Sequence, residues 1–482
     1  MNWSFISRNV GIALLFSAAF MFISAGVSVY YNLDASFAPL FLAGVLTLAV
    51  GLFPLIFVKK GGSMAVKDGY VTIVLAWLFS CIFGMIPYVI WGGEFSVINA
   101  WYESVSGYTT TGSSILDDIE ALPHGLLFWR ASTHYIGGLG VVVFMLLILP
   151  TTRSGYGVRI SRIEISSLSK ENYKFKLSET AKIIIMVYVS ISVVLALLLR
   201  LSGIGWFDSI GNSMSIAATG GFSTRNMSAA HFENPTAEVI MIIFMYLASL
   251  HYGLIFSSVK SGSIKLFRNP VIKFYTFCLI IAIVISTISL LFNGVEKNLL
   301  TALRHSAFMN VSTASSTGFA TTQTKLWPVV PLLFLFFFSF MGACSGSTTG
   351  GIKADRILLW LSSMRGITKR KLHSSAVVKP RIGNRIIEQE TIIDVNQFIL
   401  LFFAIIFIGA IVLAALGMDL EDSLTTSIAC VGNTGLTFGS GGAFGSYSAF
   451  PAVGKIVMTV EMFLGRLEIY PILAFIVANR WK

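Results

Sequence analysis

The sequence predicts an all-α integral membrane protein. An N-terminal two-helix hairpin is followed by four repeats, each a helix, a short re-entrant helix, a loop and a second helix. That makes about ten spans and four re-entrant helices. Three observations carry this prediction. The 482 residues are only 12% charged and 55% hydrophobic, with a mean hydropathy of +0.79. A soluble chain of this length needs far more polar surface. Apolar runs of about 20 residues, the length that spans a bilayer core as helix, recur from end to end. Between them one short polar pattern returns four times.

The clearest runs stand at 9–30, 36–58, 67–91, 180–202, 270–293 and 392–416. The first reads as a retained span, because no small-residue cleavage site follows it and a second apolar run comes straight after. Barrel strands would be about ten residues long with alternating polarity. These runs are continuous and twice that length, so helices satisfy the backbone in lipid. Cysteines at 81, 278, 344 and 430 show neither metal-ligand spacing nor a disulfide pattern and read as small buried residues.

The net charge of +11 suggests nucleic acid at first sight, but its distribution argues against that partner. Of the 34 Lys and Arg, 26 lie at 58–70, 151–182, 260–273 and 353–385 or at Arg8, Arg480 and Lys482. If the spans alternate, all of these fall on one side. The positive-inside rule then places both termini and these loops in the cytoplasm. The outer segments hold 13 acidic residues, Glu103, Asp117, Asp118, Asp208, Glu421 and Asp422 among them, against seven basic ones. Negative charge around a pore mouth raises the local cation concentration.

The recurring pattern reads ESVSGYTTTGSS at 103–114, DSIGNSMSIAATGGFST at 208–224, HSAFMNVSTASSTGFATT at 305–322 and DSLTTSIACVGNTGLTFG at 422–439. Each copy holds a Thr-Gly pair: Thr111-Gly112, Thr219-Gly220, Thr317-Gly318 and Thr434-Gly435. The glycines are 108, 98 and 117 residues apart. A polar residue followed by Ser opens the last three copies, 12 or 13 positions before the Gly. Every copy is too short and too polar to span the bilayer. Each is followed by another apolar stretch, at 125–150, 236–258, 328–364 and 452–478. The organisation is therefore a hairpin at 1–62 and repeats at 63–165, 166–265, 266–385 and 386–482.

Non-helical backbone at membrane depth is tolerated where it is buried or lines a water-filled cavity. Four such loops can converge on one axis and line one pore. A dehydrating potassium ion needs a cage of oxygens, which rings of backbone carbonyls supply. Thr adds a hydroxyl, and Gly permits the backbone angles that turn carbonyls toward an axis. The candidate ion-binding set is Thr110, Thr111 and Gly112; Ala218, Thr219 and Gly220; Ser316, Thr317 and Gly318; and Asn433, Thr434 and Gly435. One Gly per copy suggests one or two tight sites and moderate selectivity.

These residues resemble the Trk/Ktr/HKT superfamily of potassium transporters along nearly the whole chain. The most specific pieces are TTTGSS (109–114), ATGGFST (218–224), STGFATT (316–322), FWRASTHYIGGLG (128–140), GACSGSTTGGIK (342–353) and GRLEIYP (465–471). The extra hairpin at 9–58 is similar to the TrkH branch rather than the shorter KtrB branch. The fourth copy, GNTGLTFG, departs most from the pattern. The resemblance implies a single-chain, four-repeat potassium channel fold for uptake across a bacterial inner membrane. It also implies a homodimer and a cytosolic ring of nucleotide-binding regulatory subunits of the TrkA type. The chain itself has no GxGxxG opening a strand–helix unit and no organic cofactor is expected, so nucleotide control would come from the partner.

The second span of repeat three is interrupted. PVVPLLFLFFFSFM is followed by GACSGSTTGG at 342–351, which does not hold a helix in lipid. Lying just after the third loop and a short apolar half-span, this stretch is expected below the four loops. There Gly342, Gly346, Ser347, Thr348, Thr349, Gly350 and Gly351 form a flexible constriction. The resemblance implies the same, an intramembrane gate; the alternative is an ordinary cytoplasmic turn. Lys353 either touches the pore or begins the basic loop. Arg466 stands mid-span, where a charge is costly and faces a polar interior. Glu461 and Glu468 stand at −5 and +2 from it, neither at a favoured helical spacing. Arg466 is expected to face the pore beneath the loops, as the resemblance also implies, or to pair with a Glu of another helix.

Gly137, Gly138 and Gly140 are read as sites of close helix approach. Trp129 and Arg130 are read as interfacial anchors. Glu103 and Asp208 are read as caps of re-entrant helices. The basic stretch 365–385 suits anionic lipid head groups or a cytosolic partner. An intramembrane enzyme finds little support: HExxH and GxSxG are absent, and His134, His251 and His305 are isolated. A proton- or sodium-coupled symporter shares the expected fold.

Overall fold

The computed structural model describes residues 1–59, 66–148, 177–263, 266–373, 380–383, 385–439 and 442–477. Most of the basic stretch 151–182, the C-terminal Arg480 and Lys482, and the boundaries at 62/63 and 165/166 lie outside the described residues. The described chain is almost entirely helical, apart from an antiparallel hairpin of Arg381–Ile382 with Arg385–Ile386. By length and composition six helices can cross a membrane, so this is a multi-pass membrane protein. They are Trp3–Tyr30, Phe37–Phe57, Lys67–Trp91, Ala181–Leu201, Pro270–Phe292 and Gln389–Ala415. All six sit within a few residues of the apolar runs in the sequence.

The first two form the N-terminal hairpin. Gly11 and Gly51 each lie against the other's carbonyl oxygen, a backbone approach that a side chain on either would block. Four helix–short helix–helix units follow. The four short helices are Val97–Tyr108, Trp206–Ala217, Leu299–Ala314 and Leu420–Gly432. At 12, 12, 16 and 13 residues they are about 18–24 Å long, too short for a hydrocarbon core of about 30 Å.

The second helix of each repeat is where the structure differs from simple spans. In repeat one, His124–Ile148 is continuous. In repeat two it breaks into Pro235–Ala248 and Tyr252–Ser261, bent by 103°. Neither Gly nor Pro marks that bend. His251 makes it by capping the second segment, its Nδ1 accepting from the Gly253 and Leu254 amides at 3.1 and 3.4 Å. In repeat three Val329–Phe340 and Ala354–Leu372 flank the expected break. In repeat four Ala452–Arg466 stops at Glu468 and Ile469, both left-handed at φ +57 and +59, before Tyr470–Val477.

The helices hold the loops by close backbone contact and by buried charge. A Cβ on Gly137 would strike the Tyr108 carbonyl, and one on Gly138 would lie 2.8 Å from the Ala218 Cα, so His124–Ile148 packs on the ends of two short helices. Arg130 and Trp129 are buried at 1% and 0% exposure, not interfacial as the sequence suggested. Arg130 Nε lies 2.8 Å from Glu103 Oε1. Its other nitrogens donate to Ser114 Oγ and the Ser223 carbonyl, and its guanidinium stacks 4.1 Å from the Phe222 ring centre. Glu103 is thus no cap; Ser96 caps that helix instead. Asp208 likewise bonds Thr224 and Arg225 in its own outer loop.

These two pairs should respond differently to the loss of the arginine. Arg130→Met strands a buried carboxylate and should cost roughly 3–5 kcal/mol. Arg225→Met removes a partly exposed partner of Asp208 and should cost about 1 kcal/mol or less. Melting temperatures in detergent check the order; equal drops would contradict it.

Candidate functional site at the convergence of the four loops

Each short helix ends in the same turn. The Thr110 amide donates to the Gly107 carbonyl at 3.0 Å and the Thr111 amide to Ser106 at 2.9 Å. The pattern repeats as Thr219 to Ile216 with Gly220 to Ser215, Ser316 to Thr313 with Thr317 to Ser312, and Asn433 to Cys430 with Thr434 to Ala429. This pair of bonds is the Schellman helix stop, which requires a left-handed residue and usually employs glycine. Here Thr110, Thr219, Ser316 and Asn433 take that conformation, at φ +52, +54, +54 and +52. An L side chain there costs about 1–2 kcal/mol, a strain that four copies of one site impose together.

The turns close into a ring in chain order. A Cβ on Gly112 would collide with the Gly220 carbonyl oxygen, one on Gly221 with that of Thr317, one on Gly318 with that of Thr434, and one on Gly435 with that of Thr111. The outer loops join in the same sense. Ile119 and Asp118 bond Asn226, Ala230 bonds the Ala320 carbonyl, and the Tyr447 amide donates to the Ser114 carbonyl. Gly112, Gly221, Gly318 and Gly435 all border one outer depression. At its edge Asp117 accepts from Ser446 and Ser448, hydroxyls that hold its carboxyl below the usual carboxylate range.

The ring corrects the register of the second copy. Thr219 corresponds to Thr110, Gly220 to Thr111 and Gly221 to Gly112, so Ala218 falls back to the place of Thr109 and Ser315. Two adjacent glycines made the Thr-Gly match ambiguous. Spacing held the answer: Asp208, His305 and Asp422 each precede Gly221, Gly318 and Gly435 by 13 residues. Gly220 is instead pressed against the His134 ring, which stacks on Phe222 at 4.1 Å and reaches Ser215 Oγ at 3.1 Å.

Chemically, the ring gathers oxygens and negative potential. Each short helix points its C-terminus at the ring, and each such end carries roughly half a negative charge. Thr110 Oγ1, Ser316 Oγ and Asn433 Oδ1, at three corresponding positions, are buried and make no hydrogen bond among the described residues. Buried polar atoms are normally partnered, so these suit a cation taken from water. The donors at the turns are carbonyls and side-chain oxygens, and among the described residues no cluster of three or more His, Cys, Asp or Glu stands anywhere as a metal site.

The stretch 342–351 lies against the ring. Gly350 packs on the Gly432 carbonyl and on Asn433, and Thr348 Oγ1 lies 3.1 Å from Thr219 Oγ1. Gly342 abuts the Gly350 carbonyl, Gly346 the His251 ring and left-handed Gly351 the Gly342 amide, so the stretch folds on itself. Ser347 Oγ donates to the Cys344 carbonyl and meets Thr349 Oγ1 at 2.8 Å. Arg466 is buried and clasps it: Nη1 donates to the Thr348 carbonyl at 2.5 Å and Nη2 to the Gly137 carbonyl at 3.2 Å. The expected pairing with a Glu of another helix is not what the described residues form. Glu461 bonds Ser427, and Glu468 bonds Lys353 and Arg356 at 2.7 and 2.6 Å. The 342–351 stretch is therefore held at Thr348 and just past its C-terminal end by one motif, GRLEIYP.

A family described as TrkH cation transport protein matches residues 38–480. This chain belongs to that family. It is 30% identical over 487 residues, covering all of both chains, to the Trk system potassium uptake protein TrkH of Salmonella typhimurium, and equally to that of Escherichia coli K12. It is 30% identical to the Trk system potassium uptake protein TrkG of Escherichia coli K12, over 88% of this chain and 87% of that one. Among solved structures, the crystal structure of the potassium transporter TrkH from Vibrio parahaemolyticus superposes with a TM-score of 0.91 at 27% identity, covering all of both chains.

Against the family's repeat pattern, sequence reasoning missed three things: Gly221, the clamp of Glu468 on Lys353 and Arg356, and the backing of the second loop by His134. Only the first had a local signal. The register makes a test. Gly220→Ala and His134→Ala should couple by about 1 kcal/mol or more in a double-mutant cycle of stability, since the smaller residue vacates the space. Gly221→Ala should show no such rescue, because its φ of +97 and the Thr317 carbonyl remain. The reverse pattern would restore the original register.

Proposed function

We propose that this chain conducts potassium inward across a bacterial inner membrane, through one pore lined by the four loops and gated by residues 342–351. The observation that carries the reading is the closed ring of four helix stops, at three of which a buried side-chain oxygen has no hydrogen-bond partner among the described residues. A potassium ion at the ring exchanges its water for the carbonyls of Thr111, Gly220, Thr317 and Thr434 and the side-chain oxygens beneath them. Ten spans with both termini in the cytoplasm agree with the basic segments and with the six long helices, the continuous helix His124–Ile148 and the three broken ones. The names of the relatives, Trk system proteins, support a cytosolic nucleotide-binding partner of the TrkA type. The helix Ala354–Leu372, which runs directly from the gate into basic residues, is suited to receive it. A homodimer fits the same family reading.

In the gate, Arg466 acts twice. It pins Thr348 beneath the ring, and its charge opposes a cation at the inner end. At a separation of about 8 Å and an effective dielectric near 20, that repulsion is on the order of 2 kcal/mol. Potassium-dependent growth of an uptake-deficient bacterium expressing this chain tests the function; failure of expressed, membrane-inserted protein to restore growth would refute it.

The gate makes a sharper prediction. Arg466→Gln frees the Thr348 carbonyl and removes the charge without stranding a carboxylate. Basal rubidium flux into proteoliposomes should rise severalfold, with a modest drop in melting temperature. Deletion of 344–349 should raise it further. Unchanged flux in both variants would remove the stretch as the barrier.

A further inference from the structure

Far from the ring, a groove of about 330 Å³ lies between the start of Pro270–Phe292 and the helix Ala354–Leu372, within the usual size range of small-ligand clefts. Residues 381–383 roof it. That roof is fixed: Ser362 Oγ donates to the Arg381 carbonyl at 2.8 Å, and the Arg381 amide lies 3.3 Å from the same hydroxyl. The floor is apolar, with Phe274, Leu358, Leu361 and Ile382, while Arg365 and Arg381 stand at the rim. Both arginines are exposed, and among the described residues neither has an ion-pair partner.

The level of the groove matters. Pro270 is the first residue of a membrane-spanning helix, and Phe274 lies one turn further in. The rim therefore sits where phospholipid head groups lie and the floor where acyl chains begin. A soluble anion would engage the arginines but leave the apolar floor uncovered. A zwitterionic lipid would bring an ammonium to a rim that is already cationic. Guanidinium groups bind phosphate in a bidentate fashion, and further cationic side chains, Lys273 and Lys369, are exposed on the same two helices.

We propose that this groove binds one anionic glycerophospholipid of the cytoplasmic leaflet, its phosphate on Arg365 and Arg381 and an acyl chain along Phe274 and Leu361. The assignment to that leaflet rests on the orientation given above; the binding itself does not depend on potassium conduction, so either can fail alone.

Native mass spectrometry of the full chain, exchanged from detergent into phosphatidylglycerol or phosphatidylcholine, tests it. The unaltered protein should retain one phosphatidylglycerol about tenfold more strongly than phosphatidylcholine, and Arg365→Gln with Arg381→Gln should abolish that preference. Leu361→Trp, which fills the groove and keeps both arginines, should also lose the retained lipid. It decides the question if the double variant misfolds. Retention unchanged in both variants would overturn the proposal. So would displacement of the lipid by millimolar inorganic phosphate, which points to a soluble anion. Release of the lipid by an acidic cytosolic protein that then occupies the groove would overturn it as well.

Discussion

Everything near the axis depends on one backbone turn, the helix stop that places a left-handed residue after each short helix. Glycine would take that conformation without strain, yet Thr110, Thr219, Ser316 and Asn433 occupy it. The strained positions are the ones that carry side-chain oxygens, and three of those oxygens are buried without a hydrogen-bond partner among the described residues. The glycines come two residues later, where backbones of neighbouring loops touch and no Cβ fits. Strain and space are thus divided between residues two apart: polar residues where an oxygen is useful, glycines where loops must meet.

The ring needs support from behind, and the repeats supply it differently. Repeat one uses a buried ion pair, Glu103 with Arg130, that also reaches the second loop through Ser223 and Phe222. Repeat two is backed by His134. Beneath the ring, repeats three and four act together: the broken helix of repeat three supplies the 342–351 stretch, and the broken helix of repeat four clamps it through Arg466 and Glu468. Across the helix break at 467–469, cationic Arg466 reaches Thr348 within the stretch while anionic Glu468 holds Lys353 and Arg356 just beyond it.

Much of this was legible in the sequence because the turn demands particular residues. The membrane class, the four copies, the broken third span and the mid-span Arg466 all follow from composition and local pattern. What was illegible depends on partners distant in the chain or on conformations that residue type does not announce. Gly220 and Gly221 match the Thr-Gly pattern equally well, and only the 13-residue spacing from Asp208, borne out by the Thr317 carbonyl, separates them. The 103° bend after Ala248 has no Gly or Pro to mark it; the His251 ring makes it. Glu103 looked like a cap because it opens the first polar segment, but it lies mid-helix and Arg130 on the next helix claims it. Glu468 looked idle beside Arg466 because its partners, Lys353 and Arg356, belong to another repeat.

If the four turns form one cation site, a single ion touches all four loops. Anomalous diffraction from crystals grown with rubidium or thallium in place of potassium tests it most directly. A peak should stand within coordination distance of the carbonyl oxygens of Thr111, Gly220, Thr317 and Thr434 together. Peaks confined to the outer depression, or bound to one loop away from the other three, would contradict it.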